Sequence, residues 1–526
     1  MPDRIATVSR RALCAKTLCI LFVILFMQGC AQLPPHNAPP LSYAFDRPDE
    51  TRLGRQVQPH LPDQSGYSGF YIQDAGRQAF LQRAALIEAA EQSIDAQYYI
   101  WNSDVSGSYL ARRLLVAADR GVRVRLLLDD VNLDGRDTLL AALDQHPNIE
   151  ISIYNPFAIR SGIGKWLNFI SDFQRLNQRM HNKTFVVDGA LGIMGGRNIG
   201  DEYFDLHPQV NFRDRDVLIA GPVVADLTAN FDAFWNSRSS YLMSQLEPDA
   251  AQELGLSTEL EQIRAAASDG TGLTRVPPQD SASALEYISQ ILPALVWAEG
   301  ELVFDSPTVY GQDVTDSPQR SAQALYQLVE EAGKEILVES AYLILGDDQL
   351  DILRQVKARG VRVLALTNSL ASNDLTTNHA GYARRRGAML ANGLELYELR
   401  PDAEACLSWI AMPDFCRSGS VGLHAKSAVF DRKALYIGSF NINLRSIYLN
   451  SETVLVIHSA QLAERLAQDI EAAMTPENSW MVTREAGGQL FWSAGEEQFW
   501  THEPATGFWR RFKSGLFSLL PMEKYL

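Results

Sequence analysis

The chain has 526 residues, too many for one ordinary domain. Its 46% hydrophobic fraction fits a soluble globular interior and excludes both a disordered chain and a bundle of membrane spans. With 47 Lys and Arg against 63 Asp and Glu, the net charge is −16. That balance argues against general nucleic-acid binding, which needs clustered cations, and leaves room for a local basic site.

In chain order, Arg4, Arg10, Arg11 and Lys16 precede an apolar run from Leu18 to Met27, followed by Gly29 and Cys30. Residues 1–29 therefore read as an export signal, too short in its apolar part for a membrane-spanning helix. Cys30 after Gly29 fits a lipidated residue, although Met27 and Gln28 depart from the usual lipoprotein box. An uncleaved anchor and an ordinary cleaved signal stay open. All three readings send the protein to a bacterial cell envelope, and the lipoprotein reading makes it membrane-anchored and facing the periplasm. Ala31 after Cys30 tilts that toward the outer membrane. Residues 30–68 open on Pro-rich "AQLPPHNAPP" and read as a linker.

Two similar halves follow, 69–245 and 294–474, separated by a largely polar connector over 246–293. In the first half, "EQSIDAQYYIW" (Glu91–Trp101) is an apolar strand, an amphipathic helix ends at Gly121, and "VRVRLLLDD" and "IEISIYNP" supply two more strands. The second half repeats this with "KEILVESAYLI" (Lys334–Ile344), a helix ending at Gly360, "VRVLALTNS" and "LELYELRP". Each half then reaches the same eighteen-residue pattern: "HNKTFVVDGALGIMGGRN" from His181 and "HAKSAVFDRKALYIGSFN" from His424. His424, Gly438 and Asn441 each lie 243 residues after His181, Gly195 and Asn198, without a gap, and so does Tyr342 after Tyr99. Alternating strands and helices predict an α/β fold. The duplication predicts two homologous α/β halves packed with pseudo-two-fold symmetry around one shared site. Residues 475–526 form a C-terminal extension, whose "GFWRRFKSGLFSLLP" reads as a short basic, aromatic helix suited to a membrane interface or to docking on the body. Cys406 and Cys416 are the two cysteines of the folded body, and they read equally well as a disulfide or as separate thiols.

In a strand alternate side chains share a face, so His181 and Lys183 point together, as do His424 and Lys426. Lysine supplies a compact charge for a phosphate oxygen; Asn198, Asn441 and Ser439 can add donors to the same anion. Two imidazoles and two ammonium groups face to face suit phosphoryl-type transfer, with one His attacking phosphorus and the other protonating the leaving oxygen. No Cys-x-x-Cys spacing or metal-ligand cluster is visible, so no cofactor or metal is expected. Asp188 and Asp431 belong to the motif, but their turn positions suggest bracing the hairpins rather than meeting substrate. Each His needs a partner to fix its tautomer. The second half offers Glu452; the first offers Asp214 and Asp216, of which Asp216 is preferred because an apolar run follows it as one follows Glu452.

The two copies resemble the His-x-Lys-x4-Asp-x6-Gly-(Gly/Ser)-x-Asn signature of the phospholipase D superfamily at every defining position. "TNSLASNDLTTNHAGYARRRGAML" (Thr367–Leu390) and "NFRDRDVLIAGPVVADLTANFDAFWNS" (Asn211–Ser237) are similar to segments of bacterial cardiolipin synthases, most of all the C type. The resemblance implies a covalent phosphohistidine, with His181 as nucleophile and His424 as general acid and base. It implies phospholipid substrates, phosphatidylglycerol and also phosphatidylethanolamine, and a membrane surface as partner. A phospholipase D-type hydrolase releasing phosphatidic acid would use the same residues. A nuclease is disfavoured by the acidic charge and the lipoprotein-like start, and a non-enzymatic lipid-binding module would not need two complete motifs. Tyr99, Tyr342 and His379 are candidate substrate-lining residues, and Arg384, Arg385 and Arg386 candidates for lipid head groups.

Overall fold

The computed structural model describes residues 33–526, apart from 37–39, 65, 134–135, 161, 247–255, 266–272, 274–275, 309–316, 411, 497 and 520–522. The expected signal segment and Cys30 lie outside the described residues.

The first half contributes strands β1 (Tyr67–Gln73), β2 (Ser93–Tyr98), β3 (Arg123–Asp129), β4 (Ile149–Tyr154), β5 (Thr184–Val187), β6 (Leu191–Gly195), β7 (Val210–Arg213), β8 (Asp216–Ala220) and β9 (Ser240–Leu242). The second contributes β10 (Val296–Phe304), β11 (Glu335–Ser340), β12 (Arg362–Asn368), β13 (Glu395–Leu399), β14 (Ser420–Leu423), β15 (Lys426–Phe430), β16 (Ala434–Gly438) and β17 (Thr453–His458); β18 (Ser479–Arg484), β19 (Leu490–Ala494) and β20 (Gln498–Trp500) follow. All but β7 and β14 join one sheet. Its pairings run β9-β4-β3-β2-β5-β6-β8-β1, cross from β1 to β10, and continue β10-β17-β16-β15-β11-β12-β13-β18-β19-β20. The order from β1 to β9 repeats from β10 to β18, so the pseudo-two-fold axis passes through the antiparallel β1–β10 pair. In each half three strands are parallel, β2-β3-β4 and β11-β12-β13, joined by helical crossovers.

The central strands of each half, such as β3, β5 and β15, are buried on both faces, as a covered sheet requires, while β18–β20 at the edge are partly exposed. Helices Gly76–Ala89 and Val105–Asp119 close one outer face, and helices Arg320–Glu331 and Asp347–Ala358 the other. Where the two halves of the sheet face each other lies a core drawn from both, including Phe70, Val186, Val217, Leu337, Val429 and Leu455. Helices Val223–Trp235 and Ala460–Ala473 contribute to this middle layer.

The β5–β6 and β15–β16 hairpins turn at Asp188-Gly189 (φ 54° and 60°) and Asp431-Arg432 (φ 51° and 54°). Two successive positive φ values give a type I′ turn, whose twist matches the flanking strands. Each Asp carboxylate fixes its turn to the start of the first parallel strand of its half. Asp188 accepts the backbone N–H groups of Glu91, Gln92 and Ser93 at 2.9, 2.7 and 2.9 Å. Asp431 accepts those of Gly333, Lys334 and Glu335 at 2.9, 2.8 and 3.0 Å. Cys406 and Cys416 are joined by a disulfide, with Cα atoms 5.8 Å apart.

Candidate active site

His181 stands three residues before β5 and His424 two before β15, at the ends where the halves meet. Two short cross-half pairings put them there. Met180 bridges Ser451, and the His181 N–H donates to the Ser451 carbonyl at 2.9 Å. Equivalently, β14 pairs in parallel with β7, and the His424 N–H donates to the Arg213 carbonyl at 2.9 Å. Each His is therefore carried on one half and held against the chain just before an acid of the other.

The acids complete the arrangement. Glu452 Oε2 lies 2.8 Å from His181 Nδ1, and Asp214 Oδ2 lies 2.5 Å from His424 Nδ1. Both acids are fully or almost fully buried. A carboxylate on Nδ1 fixes that nitrogen as the protonated one and leaves Nε2 to react. Glu452 also accepts the Ser439 hydroxyl at 2.5 Å and the Ser446 hydroxyl at 2.6 Å. At the position equivalent to Ser439, Gly196 makes room for the other acid: a Cβ there would lie 2.2 Å from Asp214 Oδ1. Asp214 is held from its flanks. Side chains alternate along an extended segment, so Arg213 and Arg215 point away from it, and both bind the buried Glu339 of the second half.

The lysines line the same space. Lys183 Nζ donates to the His181 carbonyl at 2.6 Å and sits 5.3 Å from the centre of the Tyr99 ring. Lys426 Nζ lies 3.0 Å from His424 Nδ1 and also donates to the His424 carbonyl. The Tyr99 ring meets His181 edge-on at 4.9 Å; Tyr203 and Phe212 flank His424 at 5.1 and 5.3 Å.

Burial drives the electrostatics. It lowers both imidazoles to about 4, opposed by their carboxylates and reinforced by the ammonium groups of Lys183 and Lys426, which act on both rings. Burial also lowers Lys426 to about 8 and Lys183 well below the ordinary lysine range. The carboxylates run the other way. Burial alone would raise them, but His181 and Lys183 bring Glu452 below its ordinary value, and His424, Lys426 and Arg197 bring Asp214 down. The two imidazoles, two ammonium groups and two carboxylates thus form one coupled cluster.

The sequence profile described as "Cardiolipin synthase, PLD-like domain" matches residues 84–235 and 325–474, more than half of the chain. The chain belongs to this phospholipase D-like family. Among its relatives, "Cardiolipin synthase C" of Escherichia coli K12 is 36% identical over 475 residues, spanning 90% of this chain and 99% of that protein. "Cardiolipin synthase A" of Pseudomonas putida is 27% identical, over 77% of this chain and 69% of that one. The fold is shared with a phosphatidylserine synthase of Haemophilus influenzae at a TM-score of 0.52 and 15% identity, covering 82% of this chain and 92% of that one.

For a phospholipase D-like chain, the structure alters several residue expectations. Asp216, preferred above as a His partner, lies opposite Gly195 just as Val454 lies opposite Gly438, so Asp214 is the counterpart of Glu452. Asp216 instead binds the buried Arg83 at 2.8 Å and Arg197 at 3.5 Å. Glu452 serves the His of the opposite half rather than its own. Asp188 and Asp431 sit at the far ends of the hairpins, bound to backbone, and not beside the imidazoles. The Ser439 hydroxyl is spent on Glu452 rather than directed at an anion. Asn198 is engaged as well, accepting the Ile100 N–H and donating to Tyr203 Oη, both at 3.1 Å. The buried Asn441 carries an amide oxygen that no described group satisfies.

Of the three candidate lining residues, Tyr99 lies against His181. Tyr342 stands at the mouth, its hydroxyl donating to Asp374 at 2.9 Å. His379 does not line the site: it is fully buried in helix Thr376–Ala391, against Tyr382 and 3.8 Å from Glu503. Arg384, Arg385 and Arg386 pair with Glu523, Asp347 and Glu398. Tyr203, Phe212 and Asp374 escaped the sequence reading; Tyr203, five residues past Asn198, was the most accessible to it.

Proposed function

We propose that the chain is a phosphatidyl transferase that makes cardiolipin from phospholipids through a phosphohistidine. The supporting observation is the pair of cross-half His–carboxylate couples sharing one buried space with two lysines, in a chain similar to a cardiolipin synthase along nearly all of that relative's length. Glu452 holds the Nδ1 proton of His181, so Nε2 attacks the phosphorus of phosphatidylglycerol. The P–N bond forms, the bond to the glycerol head group breaks, and His424 gives its Nε2 proton to the departing oxygen. Burial keeps His424 neutral in the empty site. An arriving phosphodiester anion between the lysines favours its protonated form. In the second stage His424 takes the proton of an acceptor hydroxyl on a second phosphatidylglycerol, whose oxygen attacks phosphorus as the P–N bond breaks, yielding cardiolipin. Lys183 and Lys426 neutralise the equatorial oxygens. Attack by His181 rather than His424 follows the superfamily pattern, since the geometry is nearly symmetric. Phosphatidylethanolamine serves as an alternative donor, releasing ethanolamine. We place the protein at the bacterial cell envelope, with residues 1–29 as an export signal and Cys30 as its lipidated residue.

The test is incubation of the protein with labelled phosphatidylglycerol, with and without phosphatidylethanolamine. Cardiolipin is the expected product. Phosphatidic acid alone would make the enzyme a hydrolase, and DNA cleavage without either lipid product would overturn the lipid reading.

A further inference from the structure

Nineteen large hydrophobic side chains are exposed among the described residues, and ten of them fall in two short stretches. Helix Gly162–Ser171 shows solvent Ile163, Trp166 and Ile170, exposed by 81, 71 and 72%. Helix Phe508–Phe517 shows Phe508, Trp509 and Phe512, exposed by 68, 70 and 53%. Spacings of three and four residues put each set on one helical face. Neither helix is loosely attached. The first is pinned by Asn168, whose amide oxygen accepts the Ala158 N–H at 2.8 Å, and by Phe169 packed on Phe157 and Phe173. The second packs on helix Thr376–Ala391, and Arg510 donates to the Asn373 carbonyl.

The two faces belong to opposite halves but meet at one rim. The C-terminal turn Glu523–Tyr525 joins them: Glu523 pairs with Arg384 of helix Thr376–Ala391 at 3.2 Å, and the Tyr525 ring lies 5.0 Å from Phe173, just beyond helix Gly162–Ser171. That rim is the mouth of the active site. The Tyr525 carbonyl accepts from Arg445 at 3.1 Å, and the Arg445 charge acts on Tyr99, the ring against His181. Asn373 precedes Asp374, the partner of Tyr342.

Charge selects the occupant. The chain carries a net −16, yet the two helices hold Lys165, Arg510, Arg511 and Lys513 and no acid. Of the acids near them, Asp172 pairs with Arg175, Glu503 with Arg386 and Glu523 with Arg384, while the exposed Asp374, whose charge acts on Arg510, accepts the Tyr342 hydroxyl. An aromatic, basic face whose neighbouring acids are engaged by other side chains, on an acidic protein, suits an anionic lipid surface. We infer that helices Gly162–Ser171 and Phe508–Phe517 together form a docking face that seats the active-site mouth on an anionic phospholipid bilayer, so that a head group reaches His181 without leaving the interface. The inference rests on the phospholipid reading above and adds the surface through which substrate arrives.

Hydrogen exchange of the full chain with phosphatidylglycerol vesicles tests it, together with a variant carrying Ile163→Ser, Trp166→Ser, Phe508→Ser and Trp509→Ser. Both helices should gain protection on vesicles. The variant should lose that protection and turn over vesicle lipid on the order of tenfold more slowly. It should keep the wild-type rate on monomeric short-chain phosphatidylglycerol. Unchanged exchange at both helices, or equal loss on monomeric lipid, would overturn the docking face. So would protection that rises with protein concentration in the absence of vesicles, since a second copy would then cover the face. Protection on vesicles without turnover of either lipid form would retain the docking face and overturn the transferase reading instead.

Discussion

His181 and His424 share a residue-level design in which burial opposes the carboxylate on Nδ1 and prevails. Held to about 4, both rings are neutral near pH 7, and Lys426 at about 8 still carries its proton. Protonating His181 removes the attacking lone pair, and deprotonating Lys426 removes charge from the phosphate site. The acid limb of the kcat/KM profile should therefore lie near pH 4, and activity should fall on the basic side as His424 and Lys426 lose the protons that the leaving oxygen and the phosphate need; an acid limb at an ordinary histidine value of about 6.5 would contradict this balance. Asp214 and Asp216 separate by what each holds. Asp214→Asn should lower kcat by about 10²-fold or more, because the imidazolium that forms during turnover loses its counter-charge, with little change in melting temperature. Asp216→Asn should cost roughly 3–5 kcal/mol of stability through the buried Arg83, with a pH profile of unchanged shape. The sequence could not choose between them. Positions 214 and 216 share a parity, so alternation gives both the same face, and only the register of β6 against β8 shows which one reaches a histidine. His and Lys were legible because their spacing is local; the identity of the opposing acid is a fact about the other half.

Among the elements, the motif hairpins read directly from sequence. Apolar runs on either side of Asp188-Gly189 and Asp431-Arg432 become β5–β6 and β15–β16; Asp-Gly is a favoured type I′ pair, whereas Arg432 takes its positive φ with its guanidinium held by Glu335, Glu464 and Glu471. The carboxylates, however, do structural work at a distance. Asp188 alone satisfies three backbone N–H groups in a buried setting, so Asp188→Ala should destabilise the fold by roughly 1–3 kcal/mol, measured by urea unfolding. Asp431→Ala should cost less, since water can reach its partly exposed turn. Equal losses would show that burial does not set the difference. The β7–β14 ribbon was not legible: "VNFR" and "SVGL" are four residues each and lie 210 positions apart. Nothing local in either stretch announces a partner, yet this ribbon brings Asp214 to His424. Residues 475–526 extend the second half, and the sheet continues into them through β18, which pairs with β13.

For the whole molecule, the gapless 243-residue shift foretold two α/β halves about a pseudo-two-fold axis. What it could not foretell is where the axis runs, because β1 and β10 lie outside the repeated motif and pair through their edges. The halves are also locked by ionic contacts, with Glu339 of the second half receiving both Arg213 and Arg215 of the first. Glu339→Gln removes the one fully buried carboxylate from two guanidinium groups that keep Asp469 and, for Arg215, Asp74. It should destabilise the chain by about 1–3 kcal/mol in urea unfolding and reduce kcat, because Asp214 lies between those two arginines. A stable variant with wild-type kcat would show that the clamp does not position the acid.

One site, assembled from both halves, should form a covalent bond to phosphorus at His181. His424→Ala given an activated aryl phosphodiester, whose leaving group needs no acid, tests it in a single mass spectrum. The expected result is a burst of about one aryl alcohol per chain and a phosphoryl adduct on the peptide containing His181, trapped because no base resolves it. An adduct on any other residue, or steady turnover with no adduct, would contradict it.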